Sequence, residues 1–172
     1  MGDSAYKEIV PGSKQFKSFV AKIVMWFLGR AIIASASLDS YVQREVTTWN
    51  DNSIIMLKVN DFGPSVAIRK ENGKLILLGV REVENPDLAI YFKNIEAALL
   101  VLTGQLGIAQ AFAEHRYTLK GDIGFAMSFV RVIYIVEDYL FPPFVTRKIL
   151  KSTPNKTSSR FKIYKATLFG VR

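Results

Sequence analysis

Asn72 and Gly73 stand between two apolar runs, Ser65–Lys70 and Leu75–Val80. An Asn-Gly pair adopts the positive φ angles of a two-residue hairpin turn at little cost, and it is the strongest short-range hairpin signal. The pair predicts two adjacent antiparallel strands and so ties the fold to a sheet. Ile54–Asn60 is a third β-rich run, closed by the turn Asp61–Pro64, and Asp87–Phe92 follows Asn85-Pro86 as a fourth. Leu75, Ile76, Leu77 and Leu78 are apolar without alternation, which predicts cover on both faces of that strand.

Beyond Phe92 the period changes. Asn94 can cap a helix over Ile95–Thr103, and Gly104 stops it. Gly107–His115 reads as a second short helix, Arg116–Lys120 as a fifth strand, and Asp122 as the cap of a helix over Ile123–Tyr139. Phe141-Pro142-Pro143-Phe144 ends it. Upstream, Ser13 can cap a helix over roughly Lys14–Ser37, and the mixed, polar 38–53 suits an extension of it or a linker. Strands joined by tight turns and followed by helices predict an α+β fold, a largely antiparallel sheet with helices covering one face.

The 172 residues suit one domain, which at that size buries roughly 70% of its unfolded surface. There is no cysteine, which excludes disulfides, thiolate metal sites and cysteine nucleophiles and is in keeping with a cytoplasmic location. The polar start carries no signal-peptide pattern. Phe19–Leu38 contains Lys22 and Arg30, and Ile123–Val136 is short and contains Arg131, so both read as buried helices rather than membrane spans. The net charge of +8 resides wholly after residue 145: Arg147, Lys148, Lys151, Lys156, Arg160, Lys162, Lys165 and Arg172 face no acid there. A balanced body with a basic tail is a poor nucleic-acid binder, and no nucleic-acid partner is expected. The tail, Arg160–Arg172, interleaves cations with Phe161, Ile163, Tyr164, Leu168 and Phe169. It suits either an anionic membrane surface or docking on the domain.

No catalytic constellation emerges. His115 is the only histidine and reads as an exposed helix-terminal residue, and no serine sits in a nucleophile elbow. Glu82 and Glu84, and Glu137 and Asp138, read as solvated or capping acids without a partner base. No metal and no cofactor is expected, because histidine and cysteine clusters and phosphate-loop glycines are missing. The helix after Asp122 stands out. Ile123, Met127, Val130 and Tyr134 share one face, and Phe125, Phe129, Val132 and Val136 another. A helix apolar nearly all round is buried on more than one side. It is either a central core helix or one with a face on a cavity or a dimer interface.

Between Asp87 and Phe129 the pattern resembles the sterol carrier protein type two family. The resemblance is carried by the strand opening Pro86-Asp87, the helix ending Thr103-Gly104-Gln105-Leu106, the Ala111-Phe112 helix, and Leu119-Lys120-Gly121-Asp122 leading into the last helix. The Asn72-Gly73 hairpin also fits, and the likeness spans roughly residues 40–142. It implies a five-stranded, largely antiparallel sheet enclosing a hydrophobic tunnel for a sterol, fatty acid, acyl-CoA or phospholipid, in a carrier rather than an enzyme. It implies a lining of Ile90, Leu99, Leu102, Leu106, Ile108, Phe112, Leu119, Ile123, Ala126, Met127 and Val130. It implies a division into an N-terminal helical extension (1–39), a lipid-binding domain (40–145) and a basic tail (146–172). Glu114-His115-Arg116 stands where that family often has glycine before the last strand. The extension and the tail lie outside the resemblance and would plug the tunnel, act as a lid or mediate dimerisation. Two alternatives stay open: an interaction module whose apolar surface forms a homodimer, and an accessory domain of an enzyme.

Overall fold

A computed structural model describes residues 15–60, 63–150 and 152–170. Seven helices and five strands follow in the order α1 (Gln15–Leu38), α2 (Ser40–Thr47), β1 (Ile54–Val59), β2 (Ser65–Glu71), β3 (Lys74–Gly79), β4 (Leu88–Phe92), α3 (Ile95–Leu102), α4 (Ile108–Ala113), β5 (Tyr117–Gly121), α5 (Ile123–Leu140), α6 (Pro143–Ile149) and α7 (Arg160–Phe169). The proposed cap at Ser13 and the first half of the Asp61–Pro64 turn fall outside the described residues.

The sheet order is β3-β2-β1-β4-β5. Asn72 and Gly73 turn the β2–β3 hairpin with φ of 50° and 74°. Every strand pair is antiparallel except β1 with β4, which run parallel with Leu57 opposite Ile90. The parallel pair follows from the connection at 80–87, which returns the chain from β3 to the far side of β1. Glu82 on that connection accepts from Lys58 Nζ at 2.5 Å, and Asp87 Oδ2 accepts from Ile54 N at 2.8 Å. β3 therefore lies at the sheet edge, and Ile76, Leu77 and Leu78 are half-buried rather than covered on both faces. Edge position, which hydrophobicity along one strand does not encode, overrides the expectation.

Strand alternation puts Ile55, Leu57, Val59, Val66, Ile68, Leu88, Ile90 and Phe92 on one face, and all are buried. The helices pack on that face. α1 approaches β2 and β3 so closely that a Cβ on Gly29 would come within 2.8 Å of Leu77 Cδ1. α1 has the length and composition to cross a membrane, yet here it lies on the sheet with Met25, Ile32 and Ala21 fully buried. The Asn94 and Asp122 caps form, each accepting from the backbone three residues on at 2.8 and 2.7 Å.

One buried acid joins the helical layer. Asp39 caps α2, accepting from Tyr41 N at 2.8 Å and Val42 N at 3.1 Å. Its other oxygen accepts from Tyr139 Oη at 2.6 Å and Thr157 N at 2.8 Å. Burial would raise its pKa, but these hydrogen bonds outweigh it and hold the carboxyl below its ordinary value. The segment after α5 is fastened in consequence, and α7 docks in a groove between α1 and α5, where Arg30 Nε donates to Thr167 O at 2.5 Å. Docking on the domain, one of the two uses the sequence left open for the tail, is seen for its helix. Glu45 of α2 likewise holds Arg131 of α5 through two oxygens, at 2.6 and 2.8 Å.

Replacing Asp39 leaves three backbone N–H groups and a tyrosine hydroxyl without their acceptor. Asp39→Ala is expected to lower the unfolding free energy by about 3 kcal/mol, and Tyr139→Phe by about 1 kcal/mol, in urea titrations at pH 7. Because the folded carboxyl titrates below its ordinary range, the Asp39 contribution is present at neutral pH and disappears only on strong acidification.

Candidate functional site

Between the sheet and the helices lies a cavity of about 290 Å³. Its floor comes from one sheet face: Leu57, Ile90, Phe92 and Tyr117 line it, and the register places Leu57 beside Ile90 and Phe92 beside Tyr117. α1 contributes Val24, Phe27 and Leu28, spaced for a single helix face. Val101, Leu102 and Ile108 close another side from α3 and α4. α5 contributes Phe129, Ile133, Glu137 and Leu140, at steps of four, four and three, with Phe141 just beyond.

Apolar side chains that face an unfilled space forgo packing contacts that a ligand would supply, and this space is partly open toward solvent. Water relieves such a cost only where it finds several polar partners. Among the described residues the lining offers three polar side chains, Thr103, Tyr117 and Glu137. Two of them spend their hydroxyl proton on the backbone: Thr103 Oγ1 donates to Leu99 O at 2.6 Å, and Tyr117 Oη to Ile108 O at 3.2 Å.

Glu137 differs from both. It is 4% exposed, and its Oε2 has no hydrogen-bond partner. Burial pushes its pKa up to about 8, so the carboxyl is mostly protonated at neutral pH. Burial also pushes Tyr117 up to about 12, with Tyr134 and Glu137 adding to the shift. The next residue, Asp138, is equally buried but ion-paired with Lys156 and, at 3.7 Å, with Arg160. Neither acid is a solvated cap, contrary to the expectation from their place near a helix end. The C-terminal segment supplies the cations for one, and the cavity takes the other.

The residues named from sequence separate into three groups. Ile90, Leu102 and Ile108 lie in the cavity wall. Leu99, Leu106 and Leu119 are partly buried against the core, Ala126 is buried in it, and Val130 is half-buried. Phe112, Ile123 and Met127 face outward, with Ile123 76% exposed. α5 turns its Phe129–Ile133–Glu137 face inward because Ser128 and Arg131 are drawn to Glu45 on α2. The spacing of Phe129, Ile133 and Glu137 was available in the sequence, whereas the contribution of α1 had no local signal. His115 is exposed, with φ of 52° just past α4.

The family model for the SCP-2 sterol transfer family matches residues 35–133, more than half of the chain. No curated protein matches at a significant level. Among solved structures, sterol carrier protein 2 from Yarrowia lipolytica in its apo form is similar at 14% identity, covering 70% of this chain and 91% of that one, with a TM-score of 0.47. The ubiquinone synthesis protein UbiJ-SCP2 is similar at 17% identity, covering 71% and 99%, with a TM-score of 0.45. Palmitated SCP2L2 from Aedes aegypti is similar at 16% identity, covering 53% and 86%, with a TM-score of 0.38.

The raised pKa of Glu137 has a definite sign for stability. Unfolded, the side chain ionises near 4.5; folded, near 8, so this residue makes the protein less stable as pH rises between those values. Thermal unfolding of Glu137→Gln should match that of the parent near pH 5. By pH 8.5 the variant should be the more stable by on the order of 2–4 kcal/mol.

Proposed function

The chain belongs to the SCP-2 sterol transfer family, and from that premise we propose that it carries a lipid-like molecule in the cavity between α1, α5 and the sheet. The family makes lipid binding or transfer the general function; the ligand and the site are the proposal. The observation that carries it is the apolar cavity itself, about 290 Å³ and partly open to solvent, with one polar side chain left unsatisfied among the described residues. Ligand cavities run from roughly 300 Å³ upward, so this one suits a single slender apolar body, such as an acyl chain or part of a ring system. Each CH₂ that leaves water for such a lining gains about 0.8 kcal/mol. Fatty acids, acyl-CoA, sterols and phospholipids all present such a body. The role proposed is that of a carrier without catalysis, working in the cytoplasm.

Delivery to a membrane is part of the same reading. Arg147, Lys148, Lys162 and Lys165 are exposed on α6 and α7, beside exposed Phe144, Phe161 and Phe169. Cations next to apolar side chains suit a surface of anionic lipid. A second reading, a homodimer without a ligand, is favoured by the stripe of Phe16, Phe19 and Ile23 exposed along α1. A measured solution mass of two chains with an empty cavity would select it.

The purified protein should carry co-purified lipid near one molecule per chain in native mass spectrometry, with organic extraction identifying its class. Ile133→Trp, which fills the cavity from α5, should lower uptake of a fluorescent lipid at least tenfold while the far-ultraviolet circular dichroism spectrum stays unchanged. Sedimentation with phosphatidylserine vesicles should weaken between 50 and 500 mM salt, since the Debye length shrinks from about 14 to about 4 Å over that range.

A further inference from the structure

We propose that Glu137 is the headgroup-recognition residue of the cavity, receiving the oxygen of an uncharged lipid, an alcohol or a ketone, and turning away ionised carboxylates. The inference rests on the reading of the cavity as a lipid site and adds a ligand class to it.

The geometry supplies the argument. Glu137 is buried, lines the cavity one turn before the end of α5, and holds an oxygen with no partner. A buried polar atom left unpaired costs free energy that a ligand hydrogen bond would recover. The other two polar side chains of the lining have their protons committed to Leu99 O and Ile108 O. Of the three, Glu137 is the one whose donor, when protonated, has no partner among the described residues. It also lies past the last residue of the family match, so the matched segment does not account for it.

Charge decides which headgroup fits. The titratable groups that face Glu137 are Tyr134 on its own helix and Tyr117 on β5. α1, α3, α4, β1 and β4 present only apolar side chains to the cavity. Among the described residues no lysine, arginine or histidine lines it. An anionic headgroup would enter without a counter-charge, which is far costlier than burying a neutral one. A protonated carboxyl offers one O–H donor and retains acceptor capacity. It can therefore donate to a ketone oxygen, or donate to a hydroxyl and accept from it. Once ionised it only accepts, and a ketone loses its partner.

The test compares ligands of equal chain length, 1-decanol, 2-decanone and decanoate, by isothermal titration of the full chain at pH 6.5 and 9.5. The parent should bind decanol and decanone at least tenfold more tightly than decanoate at pH 6.5, and its affinity for decanone should fall at pH 9.5. Glu137→Gln, whose amide still donates, should keep decanone binding and lose the pH dependence. Glu137→Leu should bind both neutral ligands about three- to tenfold more weakly, the equivalent of one hydrogen bond. Equal affinity of the parent for decanol and decanoate, or unchanged neutral-ligand affinity in Glu137→Leu, overturns the role of Glu137 and leaves the lipid cavity standing. If the parent binds none of the three at either pH, the cavity reading falls and the inference falls with it.

Discussion

The carboxylate of Asp39 is the joint on which the helical layer depends. It sits where α1 gives way to α2, fully buried, and its two oxygens serve different masters. One caps α2; the other holds the hydroxyl of Tyr139 on α5 and the backbone of Thr157. Tyr139 Oη in turn accepts from Ser158 N at 3.0 Å. The relative placement of α1, α5 and the segment leading into α7 is thereby set at one point. α1 and α5 wall two sides of the cavity, so its width depends on a group that never touches it.

Three consecutive residues near the end of α5 show how much the helix separates. Successive side chains on a helix diverge by about 100°, so neighbours in sequence face different surroundings. Glu137 faces the cavity, Asp138 the cations of the C-terminal segment, and Tyr139 the Asp39 joint. All three are buried. Each meets the cost of burying a polar group differently. Asp138 is met by the cations of Lys156 and Arg160, Tyr139 donates to a carboxylate, and burial pushes Glu137 toward its neutral form. Two of the eight cations that make the tail basic are thus structural. Arg30, which breaks the apolar run of α1, serves the same docking from the other side through Thr167 O.

What could be read from the sequence was mostly local. The hairpin at Asn72-Gly73 and the caps at Asn94 and Asp122 depend on neighbouring residues, and their signals lie within four positions. The edge position of β3 and the parallel pairing of β1 with β4 depend on where an eight-residue connection goes, and no period encodes that. The docking of α7 rests on contacts such as Thr157 N to Asp39 across 118 positions, so an alternation of cations and apolar residues left it open. At the site, Ile90, Leu102 and Ile108 fell on the wall because their elements were placed correctly. Ile123 and Met127 fell outside because α5 is apolar nearly all round, and Glu45 on another helix chooses its inward face. Glu137 stayed hidden because an acid near a helix end reads as solvated unless its partners are known.

The cavity persists because its walls are fixed by contacts elsewhere. α1 rests directly on β2 and β3 at Gly29, where even a Cβ would crowd Leu77 and Val66. Its far end is fixed at Asp39, and α5 is fixed to α2 through Glu45 and to the turn after α2 through Trp49, whose Nε1 donates to Ser128 at 2.8 Å. For Val24, Phe27 and Leu28 to close onto Phe129 and Ile133, α1 would have to leave the sheet or α5 would have to break one of those junctions. Each junction involves hydrogen bonds or close packing that such a movement would lose. Collapse is therefore opposed from both ends. The apolar face that lines the cavity is thus held in place by contacts none of which lies in the cavity itself.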